Sequence, residues 1–460
     1  MRAPRLDVLV DVSPGEVRAA WLDEETLLQR FEMERISMPS LVGGIYLGRV
    51  TAVEKNMDAA FLDIGVSDGA LLRRAKDVTE GQRLCVQVTH DAGTLKGPTV
   101  TRHPAMVGRT LSFRADQHGI QWSRNLGKGR ARAGLEKALA GILPRKGGFT
   151  VRSAAAEDGA EGVAAEMERL AARWAEIEAL ARAAKGPGEL VPPVALLERV
   201  LRDHAGGGDI VIDDRLAFAA AKRSDWVAAG GLKRALKPYD RAEPLFEAAG
   251  VADQLADAVG RIVPLAGGGN LVFDRTEAMT VIDVNLGDAA HRPPRDDAAL
   301  SLNQAAAAAI GRHIRVRNLS GLIAVDFISM RNKAHRNRLV ADMRRRLAGD
   351  RVASDVLGIT AGGVMEITRQ RAGRPLAEFY EAPPAPTPRP HPHAAACHGL
   401  RHALRLTGAG RPVMRADPAI LAALEGPLAP ALEETGRRLG QPLVLVAEPG
   451  RMEPDLTMEH

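Results

Sequence analysis

Two short apolar runs, each carrying one aspartate and separated by an alanine-rich stretch, constrain this chain more than any other feature. The first reads Met279-Thr280-Val281-Ile282-Asp283-Val284-Asn285, the second Gly321-Leu322-Ile323-Ala324-Val325-Asp326-Phe327-Ile328. Unbroken runs of β-branched and aliphatic residues at this length suit strands buried inside a sheet. The stretch from Asp297 to Arg317 between them is long enough for a crossover helix, which makes the two strands parallel neighbours. A carboxylate in a buried strand is costly unless its desolvation is offset, and a bound cation is the usual compensation. Asp283 and Asp326 would then converge on one hard ion such as Mg²⁺, which takes one or two carboxylates with water and phosphate. Asn285, two residues past Asp283, points to the same side of the strand and would fix a water or a phosphate oxygen. Against this, a lone aspartate ending a strand is ordinarily a cap or turn residue. Two in matching contexts bring the readings level, and composition goes no further.

Longer motifs go further. "TEAMTVIDVN", "NLSGLIAVDFISM" and "GGVMEITRQR" follow one another in order. Together they resemble the ribonuclease E/G family, closer to its short ribonuclease G type. The resemblance implies a DNase I-like catalytic subdomain in which Asp283 and Asp326 hold Mg²⁺, with Mn²⁺ as a substitute, and Asn285 completes the catalytic set. It implies a single-strand endoribonuclease of rRNA processing and mRNA decay that favours 5′-monophosphorylated RNA and leaves 5′-phosphate and 3′-hydroxyl ends.

The chain has 460 residues, too many for one core. Its formal charge is +5 and its isoelectric point about 9.3, a mild basic excess suited to a polyanionic partner. Between Arg102 and Arg152 eleven Lys and Arg face only Asp116 and Glu136, and between Arg331 and Arg346 seven face only Asp342. One such run is ordinarily a solvated face; two beside a candidate metal site favour contact with a phosphate backbone. The start of the chain lacks a signal-peptide pattern, since Asp7 and Asp11 interrupt its apolar stretch. No apolar run approaches the roughly 18 residues of a membrane span. Cys85 and Cys397 give no disulfide framework, so a cytoplasmic protein is expected.

The expected fold is a multidomain α/β chain. Residues 1–38 open it with a hairpin of two short strands, and with residues 198–262 they resemble an RNase H-like subdomain without that fold's catalytic carboxylates. Residues 39–103 include "GGIYLGRVTAVEKNMDAAFLDIGVSDGALL", short alternating strands that resemble the S1-type RNA-binding barrel, an OB fold inserted between those two parts. The resemblance makes Phe61 a base-stacking aromatic and puts Lys96 in a basic RNA-contacting loop. The family's second stacking aromatic is replaced, in Gly69-Ala70-Leu71, by Ala70. Residues 104–197 form a 5′-sensor region, where Arg152-Ser153 matches the family's Arg-Thr pair for the 5′-monophosphate. An arginine forks onto phosphate and a hydroxyl adds a donor. Glu166 to Ala184 reads as an amphipathic packing helix.

Residues 263–382 form the DNase I-like catalytic subdomain, entered through a hairpin turn at Gly267-Gly268-Gly269-Asn270. Residues 383–400 read as a linker carrying six prolines from Pro383 to His393 and a degraded zinc motif. Family members share one zinc across two chains through paired cysteines, and here only Cys397 remains. His391, His393, His398 and His402 crowd it as possible nitrogen ligands, but Zn²⁺ is not expected. Residues 401–460 read strand, helix, helix, strand and resemble the small domain through which members form homodimers. The main alternative function is an RNA-binding or assembly protein of this family with weak or lost catalysis; a deoxyribonuclease is a minor third.

Overall fold

The structure, a computed structural model, describes residues 5–66, 69–92, 97–123, 126, 129–139, 147–204, 207–229, 232–265, 268–276, 278–285, 296–380 and 391–459. It divides into two compact units, residues 1–5 with 39–238, and 6–38 with 239–460.

In the first unit, strand Ile45–Glu54 is long enough to pair on both sides. It runs antiparallel to Ala59–Asp63, which continues to Ala70–Arg73, Thr99–Thr101 and Arg83–His90, and Arg83–His90 returns to Ile45–Glu54. The result is a closed barrel of five strands, consistent with an OB-type fold. Alternation drives the closure: Tyr46, Val50, Leu62, Leu72 and Val86 point inward and are buried. The interior is tight at Gly48, where a β-carbon would lie 2.9 Å from the Leu62 Cδ2. A second sheet of four short strands, Ala105–Val107, Leu111–Arg114, Gly119–Trp122 and Gly148–Val151, packs Phe113 and Phe149 with Trp174 and Ile177 of the helix Ala155–Ala183. This helix begins a full eleven residues before Glu166, where the sequence reading started it, and breaks from helical geometry at Gly159.

In the second unit, six strands lie in the order Ile262–Pro264, Asn270–Arg275, Met279–Asn285, Gly321–Asp326, Val364–Arg369, Ser354–Ile359. The first pair forms the expected hairpin. The two aspartate strands are parallel neighbours, joined through the helix Asp296–Val316, as the crossover argument required. One face of this sheet packs Ile282, Val284, Ile323 and Val325 against Ala306, Ala307, Ile310 and Ile314 of that helix and Leu339 and Met343 of the helix Lys333–Leu347. The small alanines let the helix approach closely.

The opposite face departs from expectation. Val281, Ala324 and Asp283 are only half-buried, and Asp326 is exposed. The strands are covered on one side, and the unbroken apolar pattern concealed this because the outer positions Val281, Leu322 and Ala324 are themselves apolar. Costly burial of the carboxylates therefore no longer supports a cation; the case rests on geometry.

The same unit holds a meander of Asp7–Ser13, Glu16–Leu22 and Leu28–Arg35, one strand more than the expected hairpin. Its buried Asp11 and Glu16 meet three arginines. Arg18 lies 2.9 Å from Asp11 and Arg35 2.7 Å from Glu16. Arg401, from the helix Pro392–Ala403, bonds both carboxylates. Burial pushes the Asp11 carboxyl up, but Arg18 and Arg401 outweigh it and hold it at about 2. The helix Pro392–Ala403 occupies the end of what the sequence suggested was a linker. After it, Arg411–Ala416, two helices and Val444–Ala447 follow as expected, and a final strand, Asp455–Glu459, flanks Arg411–Ala416 on the other side. Among the described residues no helix is long and apolar enough to cross a membrane.

Candidate active site

Asp283 and Asp326 are direct partners in the parallel ladder. Residues so paired sit about 4.8 Å apart across the strands and project from the same face. Both lie at the carboxyl ends of their strands, where parallel α/β sheets usually bind ligands. Among the described residues neither carboxylate has an ion pair, and the Asp326 carboxylate accepts no hydrogen bond. Asn285 donates its amide to Asp283 at 2.9 Å and, more weakly, to the Asn270 Oδ1 at 3.4 Å. Asn270 is Asn285's ladder partner and completes this corner. In the sequence it ends a glycine turn, and its only signal is its place at the start of the strand beside the first aspartate strand.

The donors are hard oxygens, two carboxylates and nearby amides, which suits Mg²⁺ more than softer metals. Two adjacent carboxylates without a neutralising side chain repel one another, and a divalent cation would relieve that. No group of three or more His, Cys, Asp or Glu able to hold a metal occurs among the described residues. Residues 286–295, which follow Asn285, lie outside the described residues.

The strand bearing Asp326 is anchored at its entry. Gly321, at φ 82°, turns the chain into it, a conformation a β-carbon would penalise. Arg369, buried at the end of strand Val364–Arg369, donates to the Leu319 carbonyl and the Asn318 Oδ1, both at 2.8 Å, and pairs with Asp350 at 2.7 Å.

In the other unit Arg152 and Ser153 form the turn between strand Gly148–Val151 and the helix Ala155–Ala183. Ser153 is exposed; Arg152 is half-buried. Its guanidinium donates to the Gly108 and Arg109 carbonyls and to Asp203 at 2.9 Å, and Arg202 also bonds Asp203. Glu166 holds this loop, accepting from the backbone N–H of Arg109, Thr110 and Leu111 at 2.7–2.9 Å. A phosphate here would share Arg152 with Asp203. The basic run around it is less free than its composition suggests: Arg102, Arg109, Arg114, Arg132 and Arg152 are each paired with a carboxylate. In the other run Arg345 and Arg346 pair with Asp342, whereas Lys333, Arg336 and Arg338 have no ion pair among the described residues.

The ribonuclease E/G family model matches residues 105–372, a span that takes in Arg152, Asp283, Asn285 and Asp326. This chain belongs to the ribonuclease E/G family. It is 33% identical over 390 residues to ribonuclease G of Escherichia coli strain K12, an alignment covering 79% of this chain and 80% of that protein. To ribonuclease G of Salmonella typhimurium it is 30% identical over 485 aligned positions, covering 96% and 97%. Ribonuclease E of Nostoc sp. PCC 7120 is 29% identical over 388, covering 80% of this chain but 55% of that longer protein.

Two departures from the ribonuclease E/G pattern have a structural setting. Phe61 is on the barrel's outer surface, 38% exposed, and is no core residue. Ala70 is fully buried, and the residue across from Phe61 is Leu71. Lys96 lies outside the described residues. Cys397 sits in the apolar core with Leu400, Ala403 and Met414, and burial pushes its thiol up to about 12. The four histidines split into two pairs: the His391 Nδ1 caps the helix by accepting from the His393 N–H at 3.2 Å, and the His398 and His402 rings lie 4.3 Å apart.

Proposed function

We infer that this ribonuclease E/G family member, an endoribonuclease, cuts single-stranded RNA with Mg²⁺ held by Asp283 and Asp326. The observation that carries the reading is the ladder pairing of these two carboxylates on one open sheet face, with no ion pair to either among the described residues. When bound, the ion supplies a Lewis acid that stabilises charge on the scissile phosphate and acidifies an attacking water. Asn285 and Asn270 orient the Asp283 carboxylate and offer amide groups to a phosphate oxygen. Lys333 and Arg336, in the first turn of the helix that follows the Asp326 strand, oppose their own helix dipole, and an RNA backbone would neutralise them together with Arg338.

On this reading Arg152 and Ser153 receive a 5′-monophosphate, while Phe61 stacks a base and Lys96 contacts the backbone. Residues 39–103 are the S1-type domain, 263–382 the DNase I-like one, and 1–38 with 198–262 the RNase H-like one. Residues 401–460 support a homodimer that does not rely on zinc. The protein works in the cytoplasm, in RNA processing and decay. The test is to incubate the full chain with single-stranded oligoribonucleotides bearing a 5′-monophosphate or a 5′-hydroxyl, with Mg²⁺ or EDTA. Cleavage that needs Mg²⁺ and is faster on the monophosphate is expected. Tight RNA binding without cleavage would favour an RNA-binding role instead.

A further inference from the structure

We propose that Asn303 is a positioning residue for Asp326, fixing the exit of the strand that carries that carboxylate. Asn303 lies mid-helix in Asp296–Val316 and is fully buried, among the apolar Ala299, Leu300, Ala306 and Ala307. Asparagine is a poor helix former, and a buried amide is costly unless both its ends are satisfied. Here both are satisfied by one residue: the Asn303 Nδ2 donates to the Ile328 carbonyl at 2.8 Å, and the Ile328 N–H donates to the Asn303 Oδ1 at 3.0 Å.

Ile328 stands two residues beyond Asp326, the last residue of its strand. Past that point the chain has left the ladder, and its N–H and C=O need new partners. The planar amide of asparagine carries one donor and one acceptor side by side, matched to the two backbone groups of Ile328. Asp326 itself is held sideways by the ladder, opposite Asp283 on one strand and Val364 on the other. Arg369 fixes the strand's entry through Leu319, and Asn303 fixes its exit, with buried Phe327 between. The crossover helix thereby sets the direction of a carboxylate on the opposite face of the sheet. Small errors of placement at such a site are expensive in function, which is the role of supporting hydrogen bonds behind metal-holding groups.

This inference rests on the Asp283–Asp326 metal reading. Its test uses the full chain as wild type, Asn303→Leu, Asn303→Asp, Leu300→Ala and Asp326→Asn. Two quantities are read: the Mn²⁺ dissociation constant without RNA, from the free-ion EPR signal, and the Mg²⁺ concentration for half-maximal RNA cleavage. Asn303→Leu keeps the shape and removes both bonds. Both quantities should rise about tenfold, the scale on which loss of an outer hydrogen-bond partner weakens metal sites. Leu300→Ala, a core truncation in the same helix, should lower thermal stability and leave both midpoints in place. Asn303→Asp keeps the acceptor for the Ile328 N–H and sets an oxygen against its carbonyl, so it should shift both in the same direction even if the leucine variant does not fold. Asn303 variants that behave like Leu300→Ala, with unchanged metal midpoints, overturn the proposal. Wild-type metal binding and cleavage in Asp326→Asn would instead overturn the metal reading, and this inference with it.

Discussion

Replacing Arg369 by methionine tests how firmly the Asp326 strand is held. Arg369 and Asp350 are 3% and 5% exposed, and methionine keeps much of the arginine stem's volume while deleting its charge. The change strands the Asp350 carboxylate in the interior, along with the Leu319 carbonyl and the Asn318 amide oxygen that Arg369 also serves. Removing one partner of a buried ion pair costs about 3–5 kcal/mol. In a unit of this size each kcal/mol moves the melting temperature by about 2–4 °C, so calorimetry should show a fall of roughly 10 °C. Asp350→Asn in the same chain removes the stranded charge and retains an acceptor for the Val352 N–H, which Asp350 now serves at 3.0 Å. The double variant should therefore recover all but about 2 kcal/mol, the remainder reflecting the unserved carbonyl and amide. A single-variant loss below about 1 kcal/mol, or a double variant whose loss is the sum of the two singles, would refute the claim that this pair anchors the strand.

Three further outcomes follow from other sites. His313 is buried, and burial, with Arg317 and Arg312 nearby, pulls it from 6.5 down to about 3. The unfolded chain takes up this proton below about pH 6.5 and the folded chain does not, so the stability it contributes is complete above that pH and drains away toward pH 3; at pH 5 the loss is about 2 kcal/mol. His313→Leu should flatten the fall in urea midpoint between pH 7 and 5, and an unchanged slope contradicts the assignment. Phe61→Ala should weaken single-stranded RNA binding, measured by fluorescence anisotropy, by about 1–3 kcal/mol without lowering the melting temperature; equal affinity would remove Phe61 from the RNA surface. Arg152→Ala should cut the rate preference for 5′-monophosphate over 5′-hydroxyl RNA on the order of tenfold. The ratio is insensitive to any folding loss from the broken Asp203 pair, and equal slowing of both substrates would make Arg152 purely structural.

The parts of the fold that were legible in the sequence are those written locally. The two aspartate strands, their crossover helix and the closing barrel follow from β-branched runs, alanine content and alternation. Sidedness did not follow, because Val281 and Ala324 are apolar on the open face. Partners distant in sequence were also invisible: Arg401 bonds Asp11 across 390 positions, and nothing near either residue announces it. Counting charges along Arg102 to Arg152 overstated the free basic surface, since Arg102, Arg109 and Arg152 find carboxylates on other elements. The linker reading failed at Pro392 for a local reason. A proline at the first helical position is favourable, and His391 supplies the cap, so the proline run ends by starting a helix. Of the candidate site, the motif gave Asp283, Asn285 and Asp326, while Asn270, Arg369 and Asn303 emerge only from the ladder and the hydrogen bonds around it.

The most direct test is the Mg²⁺-dependent cleavage rate of a 5′-monophosphorylated single-stranded oligoribonucleotide by the wild type, Asp283→Asn and Asp326→Asn, with the melting temperature of each. The paired-carboxylate site predicts that both variants fall to background at any Mg²⁺ concentration. Both should melt at or slightly above the wild-type temperature, because each relieves like-charge repulsion across the ladder. Wild-type cleavage by either variant at the same Mg²⁺ concentration would contradict it.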